Sequence, residues 1–319
     1  MRVHITFDVE VWCGSWSNLD QNFPAAFERY CYGHSAAGNY ALPKTLEIMN
    51  ANGLRGVFFV EPLFSARFGK RWLETIVKLI QGAGQDVQLH LHPEWTDEIS
   101  PPMIDNVAVK RPYLASYTEA EQTALIAAGR RLLEAAKGSA VTVFRAGSFA
   151  ANRDTYRALA ANGLYQDSSL NAYYDYSAGT LEDMHRFSSR RKVGAVQVYP
   201  VTVFRDGFGR QRAAQLNGCS FGELRDALLC AHRAGVSHFV IVSHNFEMLK
   251  PGTSDPDRYV VKRFEKLCSY LSAERERFEV GVFESGPMVA EAAAVEPRPT
   301  TGPWVTAQRF VEQALRKFV

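Results

Sequence analysis

The 319-residue sequence has almost no charge imbalance, with 36 Lys and Arg against 34 Asp and Glu. So small an excess provides no global field to attract nucleic acid, which is excluded as an expected partner. Cysteine is scarce and scattered: Cys13, Cys31, Cys219, Cys230 and Cys268 are odd in number and contain no Cys-x-x-Cys pair. A disulfide framework and a cysteine zinc site both lose support, and a reducing compartment fits. No apolar run approaches the roughly 20 residues of a membrane-spanning helix, so membrane insertion is not expected. The first residues, Met-Arg-Val-His-Ile-Thr-Phe-Asp, have no apolar signal core, which predicts a cytoplasmic protein. No Gly-x-Gly-x-x-Gly follows the first strand, so a dinucleotide fold has no direct support.

What is present is a chain with 46% hydrophobic residues, long enough for one α/β barrel or two smaller domains. Val3–Glu10 alternates strictly. Val3, Ile5, Phe7 and Val9 fall on one strand face; His4, Thr6, Asp8 and Glu10 fall on the other. Two carboxylates projecting the same way near a strand end read as a site, against the alternative of an edge strand with a solvated face. Val11–Tyr40 is aromatic and poorly periodic, a long connection.

A helix is expected from Pro43 to Asn52, a buried strand at Gly56–Val60, and a helix at Lys70–Gln81. Asp86–His92 alternates like the first strand, with Gln88, His90 and His92 on its polar face, and Pro93 stops it. Glu94–Tyr117 reads as a long loop, and Thr118 with Glu121 makes a capping box for a helix to Lys137. Further strands are expected at Val141–Arg145, Leu164–Ser169, Ala195–Phe204 (with Pro200 inside), Ser237–His244 and Phe278–Phe283. Helices are expected at Asp154–Asn162, Phe221–Ala234, Asp257–Ser272 and, after a Pro-rich spacer, Thr306–Phe318. Leu170–Lys192 has no clear assignment and Arg205–Ser220 reads as a loop.

Strands alternating with helices imply βαβ units, and a barrel is the better fit. The domain expectation is a barrel over residues 1–295, with residues 296–319 forming a spacer and an amphipathic helix packed on it. Chemistry in such barrels sits where strands end. Asp8, Glu10, His90, His92, Arg145, Asp167 and His244 all fall at expected strand C-termini. His90 and His92 lie two apart on one face, so both imidazoles can point at one ion; with Asp8 and Glu10 at equivalent height a metal reading is favoured. Taken singly, His244 is more often structural, Arg145 could be a surface cation and Asp167 a turn cap. The run Arg186–Lys192 reads as a solvated loop.

Six ordered motifs carry a resemblance. They are Thr6-Phe7-Asp8-Val9-Glu10, Gly56-Val57-Phe58-Phe59-Val60, Leu89-His90-Leu91-His92, Phe144-Arg145-Ala146-Gly147-Ser148-Phe149, Asp167-Ser168-Ser169 and Val242-Ser243-His244. Their order over roughly residues 1–290 resembles the polysaccharide deacetylases, carbohydrate esterases that include chitin and peptidoglycan N-deacetylases. The resemblance implies a distorted (β/α) barrel of seven or eight mostly parallel strands and a divalent metal, most often Zn²⁺. It implies Asp8 as general base, Arg145 orienting it, and His244 protonating the leaving amine; Asp167 is expected to tune His244. It also implies Glu10, His90 and His92 as metal ligands.

Two positions depart from the family pattern. Val9 stands where a second aspartate is usual, and Glu10 replaces it. Glu94 stands where the second histidine is usual; His92 is preferred because strand alternation points it with His90, with Glu94 a substitute ligand. The implied function is removal of acetyl groups from an N-acetylated sugar of a bacterial surface polysaccharide or its precursor. Tyr173, Tyr174, Tyr176 and the aromatic Val11–Tyr40 stretch suit a sugar ring. An allantoinase-like amidohydrolase and a catalytically silent carbohydrate-binding barrel are the alternatives; a homo-oligomer stays open.

Overall fold

The computed structural model describes residues 1–174, 190–284 and 298–316. The expectations for Tyr176 and Arg186 lie outside the described residues.

Strand β1 (Arg2–Val9) is followed by helix α1 (Leu19–Phe27), a π-helical turn at Glu28–Tyr32, and a minimal hairpin of β2 (His34–Ser35) and β3 (Gly38–Asn39). Helix α2 (Leu42–Ala51) leads to β4 (Val57–Val60), then α3 (Phe64–Phe68), α4 (Lys70–Gly82) and β5 (Asp86–Leu91). A long connection precedes α5 (Glu119–Lys137), β6 (Val143–Ala146), α6 (Arg153–Ala161) and β7 (Gln166–Asp167). Four short strands follow: β8 (Arg191–Val193), β9 (Val196–Val198), β10 (Val203–Arg205) and β11 (Gln211–Ala213). The rest is α7 (Phe221–Arg233), β12 (His238–His244), α8 (Arg258–Ala273), β13 (Glu279–Val280) and α9 (Pro303–Arg316).

One curled sheet runs β12-β1-β4-β5-β6-β7-β9-β8, with β13 also paired to β1. Every pairing in it is parallel except β8 with β9. This is the expected distorted (β/α) barrel. The β9 edge approaches β12 through irregular chain: Thr202 N donates to Val240 O, and Leu216 N to Val242 O.

The alternation in β1 now has a cause. Val3, Ile5, Phe7 and Val9 face outward into the large cluster shared with the helices. His4, Thr6 and Asp8 point into the barrel, where Val57, Phe59, Val143, Tyr199, Val240, Val242 and Phe283 form a second, smaller cluster. Both faces are buried, so β1 is a central strand and the solvated-edge alternative is excluded.

Three expectations need correction. Val11–Tyr40 is not simply a connection: Leu19, Phe23 and Phe27 recur every four residues and bury one face of α1, a period masked by Pro24 within the helix. The expected strand Ala195–Phe204 is two strands, β9 and β10, because Pro200 cannot donate to a ladder between them. The Arg205–Ser220 loop contains β11, which turns back on β10 as an antiparallel hairpin.

Candidate metal centre and catalytic site

Register assembles the site. Asp8 pairs with His244 across β1 and β12, and His90 pairs with Arg145 across β5 and β6. Asp8 also aligns with Phe59 and Phe59 with Gln88, so two residues further along each strand Glu10 and His90 reach equal height. All of these side chains except His244 are nearly inaccessible; His244 is one-fifth exposed.

Glu10 Oε1 lies 3.0 Å from His90 Nε2 and 2.9 Å from His92 Nε2, while Trp12 Nε1 donates to Oε2 at 2.6 Å. The backbone of Glu10 is pinned by Asn245, whose side chain accepts from Glu10 N (3.1 Å) and donates to Glu10 O (3.1 Å). His90 Nδ1 sits 2.8 Å from Arg145 O. A carbonyl only accepts, so His90 carries a proton on Nδ1 and turns Nε2 towards Glu10 Oε1, where a shared proton or a cation can lie between the two atoms. One ligand atom from each of Glu10, His90 and His92 lies within 4.8 Å of the others. Two imidazoles and one carboxylate, with one ring anchored on a carbonyl behind it, fit a divalent ion with a position left open.

Without an ion, protons on the imidazoles fill the gap at Glu10 and would have to leave for an ion to enter. Burial alone would raise Glu10, but the charge of His92 and the hydrogen bonds of His90 and His92 hold it well below the ordinary carboxylate range. Burial would lower His92, yet Glu10 and Glu94 push it well above the ordinary imidazole range. Glu94 Oε2 meets the far nitrogen of His92, Nδ1, at 3.1 Å. It therefore stands behind His92 rather than beside it, and the substitute-ligand alternative gives way to a supporting one. Gly147 makes room for His92: a Cβ there would come within 2.7 Å of the imidazole.

Beside this centre, Arg145 Nη1 donates to Asp8 Oδ1 at 2.7 Å and to Thr6 Oγ1 at 2.9 Å. Its Nε and Nη2 donate to Ser168 O and Oγ, at 3.0 and 2.9 Å, and its guanidinium lies 4.2 Å from the Phe59 ring centre. Arg145 is wholly buried, so it is not a surface cation.

His244 Nδ1 lies 2.9 Å from Glu247 Oε1. Burial would lower His244, but the Glu247 hydrogen bond and the charges of Glu10, Glu247 and Asp8 raise it to about 9. Glu247 is itself held by Ser243 Oγ, Gln215 Nε2 and Asn217 N. Asp167 does not play the expected part. Its carboxylate accepts from Ser169 N and Oγ, at 2.9 and 2.5 Å, and interacts with Tyr156. Burial raises it to about 6, and Glu247 takes its place at His244. Glu247, Asn245 and Trp12 are functional neighbours that the sequence does not single out. The i, i+3 spacing of His244 and Glu247 was the available signal.

The sequence also contains one Gly-x-Ser-x-Gly run, Gly218–Gly222. Ser220 accepts from Glu223 N as the cap of α7 and donates to Val305 O, so it is a structural serine and no nucleophile elbow.

No protein-family model matches the sequence, and no curated protein matches it significantly. Solved structures do match. A protein from Mycobacterium smegmatis assigned to the polysaccharide deacetylases superposes with a TM-score of 0.55 at 16% identity, covering 88% of this chain and 86% of that one. A family 4 carbohydrate esterase from Streptomyces lividans, solved with acetate, gives 0.46 at 14% identity over 91% and 98% of the two chains. A family 4 pseudoenzyme from Bacillus anthracis gives 0.42 at 14% identity over 87% of this chain and 62% of that one. The first of these three establishes a shared fold: the likeness read from the six motifs holds at the level of the barrel.

Proposed function

We propose that this chain is a polysaccharide-deacetylase-like hydrolase that removes the acetyl group from an N-acetylated sugar of a bacterial surface polysaccharide or its precursor. One observation carries the reading. At one end of the barrel, register brings the Glu10, His90 and His92 donor set against an Asp8–Arg145 pair and a raised histidine, His244. The catalytic unit is the barrel of residues 1–295, with residues 296–319 an appendage to it. Five free cysteines suit action in a reducing compartment, on a cytoplasmic precursor.

Glu10, His90 and His92 would hold a divalent ion, with zinc best suited to two imidazoles and a carboxylate. When bound, the ion supplies a Lewis acid that acidifies water and polarises an acyl oxygen. Asp8 takes the proton of the attacking water. Arg145 fixes Oδ1, and among the described residues no donor occupies Oδ2, so that oxygen is available to the water. His244, protonated at neutral pH and oriented through Nδ1 by Glu247, turns Nε2 to the departing nitrogen and gives it a proton. Trp12, Phe149 and Tyr174 border this end of the barrel, and the Phe149 and Tyr174 rings stack at 5.6 Å, a surface on which a sugar ring can rest.

The test is release of acetate from chitin oligomers and other N-acetylated glycans by zinc-loaded protein, with metal content measured in parallel. Asp8→Asn and His244→Ala should each lower turnover by about 10²–10⁴-fold while the protein stays folded. Full activity in either variant would overturn the mechanism. Ammonia instead of acetate would mean an allantoinase-like amidohydrolase, and a folded protein that takes up no zinc would mean a silent carbohydrate-binding barrel.

A further inference from the structure

Helix α9 is docked the wrong way round for a simple core helix. Its inward side is polar. Arg309, 4% exposed, lies between Glu223 Oε1 (3.0 Å from Nε) and Asp206 Oδ2 (2.9 Å from Nη2). Arg263 reaches Glu312 at 2.7 Å, Arg316 reaches Asp257 at 2.7 Å, and Gly207 N donates to Thr306 Oγ1 at 2.9 Å. A Cβ at Gly222 would strike Val305 at 2.7 Å, so the fit is close. Turning the helix over would strand a buried guanidinium and two buried carboxylates, each costly to leave unpaired. Its orientation is therefore fixed.

The outward side is apolar. Trp304, Val311 and Leu315 recur at helical spacing, and Phe310 stacks on Phe208 of the β10–β11 turn with ring centres 6.0 Å apart. Nine large hydrophobic side chains are exposed among the described residues, and five of them are in this one patch, with Trp304 at 86%. A concentration of that kind marks an interaction surface, whereas apolar side chains exposed singly need no explanation. Beside it, Asp206, Glu223 and Asp257, together with Glu312 of α9 itself, are turned onto Arg309, Arg316 and Arg263. On the β10–β11 hairpin beside Phe208, Arg205 and Arg210 are exposed, and among the described residues neither has a carboxylate partner. The patch thus has an apolar centre and a cationic rim on a chain that is nearly neutral as a whole.

We propose that this face binds an anionic membrane surface. The outward stripe of α9 and Phe208 would lie at the headgroup–acyl boundary, with Arg205 and Arg210 on lipid phosphates. An in-plane helix with Trp, Phe and Leu on one side and basic groups beside it has this chemistry, and no membrane span is needed. Among the described residues no helix is long and apolar enough to cross a bilayer. A second copy fits less well: a stripe one helix wide and about 17 Å long falls short of the roughly 800 Å² per partner that a stable dimer buries. Arg316, on the inward side of the same helix, donates from Nη1 to Asn217 O, and Asn217 N donates to Glu247, the partner of His244, so α9 is linked through its seat to the candidate site.

The proposal does not rest on the deacetylase reading, and its test is binding. Full-length protein should float with phosphatidylcholine vesicles containing phosphatidylglycerol, bind phosphatidylcholine alone at least tenfold more weakly, and be released by salt. Trp304→Ser/Val311→Ser/Leu315→Ser should reduce binding to the anionic vesicles at least tenfold with an unchanged melting temperature, since these side chains are exposed. Arg205→Glu/Arg210→Glu should remove the preference for anionic lipid. No flotation of the wild-type protein, or equal flotation of the triple serine variant, would overturn the proposal. So would a concentration-dependent dimer that the triple variant abolishes.

Discussion

The two ends of the barrel each hold a pair of histidines, and the pairs are opposite in character. At the end where the strands finish, His90 and His92 both face Glu10 Oε1. At the other end His4 Nε2 lies 2.9 Å from His238 Nδ1, with the rings stacked 5.2 Å apart and Gly281 O 2.9 Å from His4 Nδ1. No carboxylate comes between them. Burial, and for His4 the neighbouring His238, lowers His4 to about 3; burial together with the charges of Arg190 and Arg2 lowers His238 to about 4. Residue type is alike at the two ends, although His238 is only part-buried. A carboxylate hydrogen-bonded to both rings makes one pair a candidate cation site; without such a carboxylate between its rings the other pair is a neutral filling.

The comparison breaks most severely at Glu10. Glu10→Gln should turn the upper pair into something like the lower one, with zinc affinity falling by more than the ~10–100-fold typical of outer partners of a metal site and acetate release falling with it. Isothermal titration with zinc reads this directly, and unchanged affinity would remove Glu10 from the ligand set.

A smaller effect is expected at Glu247. His244 is raised to about 9, so its acid form is present below that pH and is lost as pH climbs through it. Glu247→Gln should move the alkaline limb of the rate profile down by about one unit, roughly a twofold loss at pH 8 that approaches about tenfold by pH 10. A limb that stays in place would detach Glu247 from His244.

The smallest change to activity belongs to the lower pair. His4→Phe should leave turnover intact and cost ~1–3 kcal/mol of stability, because Gly281 O and His238 Nδ1 lose their partner. Both histidines have folded-state values below the unfolded 6.5, so the unfolded chain binds more protons in acid. Their contribution is complete above about pH 6.5 and declines as pH falls towards the folded values. Thermal melts from pH 7 to 4 should therefore decline less steeply in His4→Phe, and an equally steep decline would place the acid sensitivity elsewhere.

Most of the barrel was legible because its strands obey simple periods. β1 and β5 alternate, β4 and β12 are apolar runs, and the capping box at Thr118 lies where Thr118 and Glu121 announce it. The site was legible as a set of strand ends, since strand alternation fixes which residues share a face. What failed was anything decided by a neighbour distant in sequence. Asp167 and Glu247 are both carboxylates near the end of a strand, and only the fold says that Ser169 and Tyr156 occupy one while His244 meets the other. Arg145 was legible as a strand-end residue facing Asp8, but taken singly it could equally be a surface cation, because its burial depends on Thr6, Asp8 and Ser168 from two other strands or their ends. The polar seat of α9 was invisible for the same reason: its amphipathic pattern shows that the helix has two sides, and the buried Asp206 and Glu223 select which one faces in.

Arg145 ties the two halves of the site to a single residue. Its carbonyl orients His90 while its guanidinium grips Asp8, so the candidate ion-binding half and the candidate proton-accepting half share one anchor. Sliding β6 would carry both together and keep their spacing. Loops around the mouth can then be exchanged or lengthened to accept new substrates without uncoupling the chemistry, so long as the four residues of β6 stay in register.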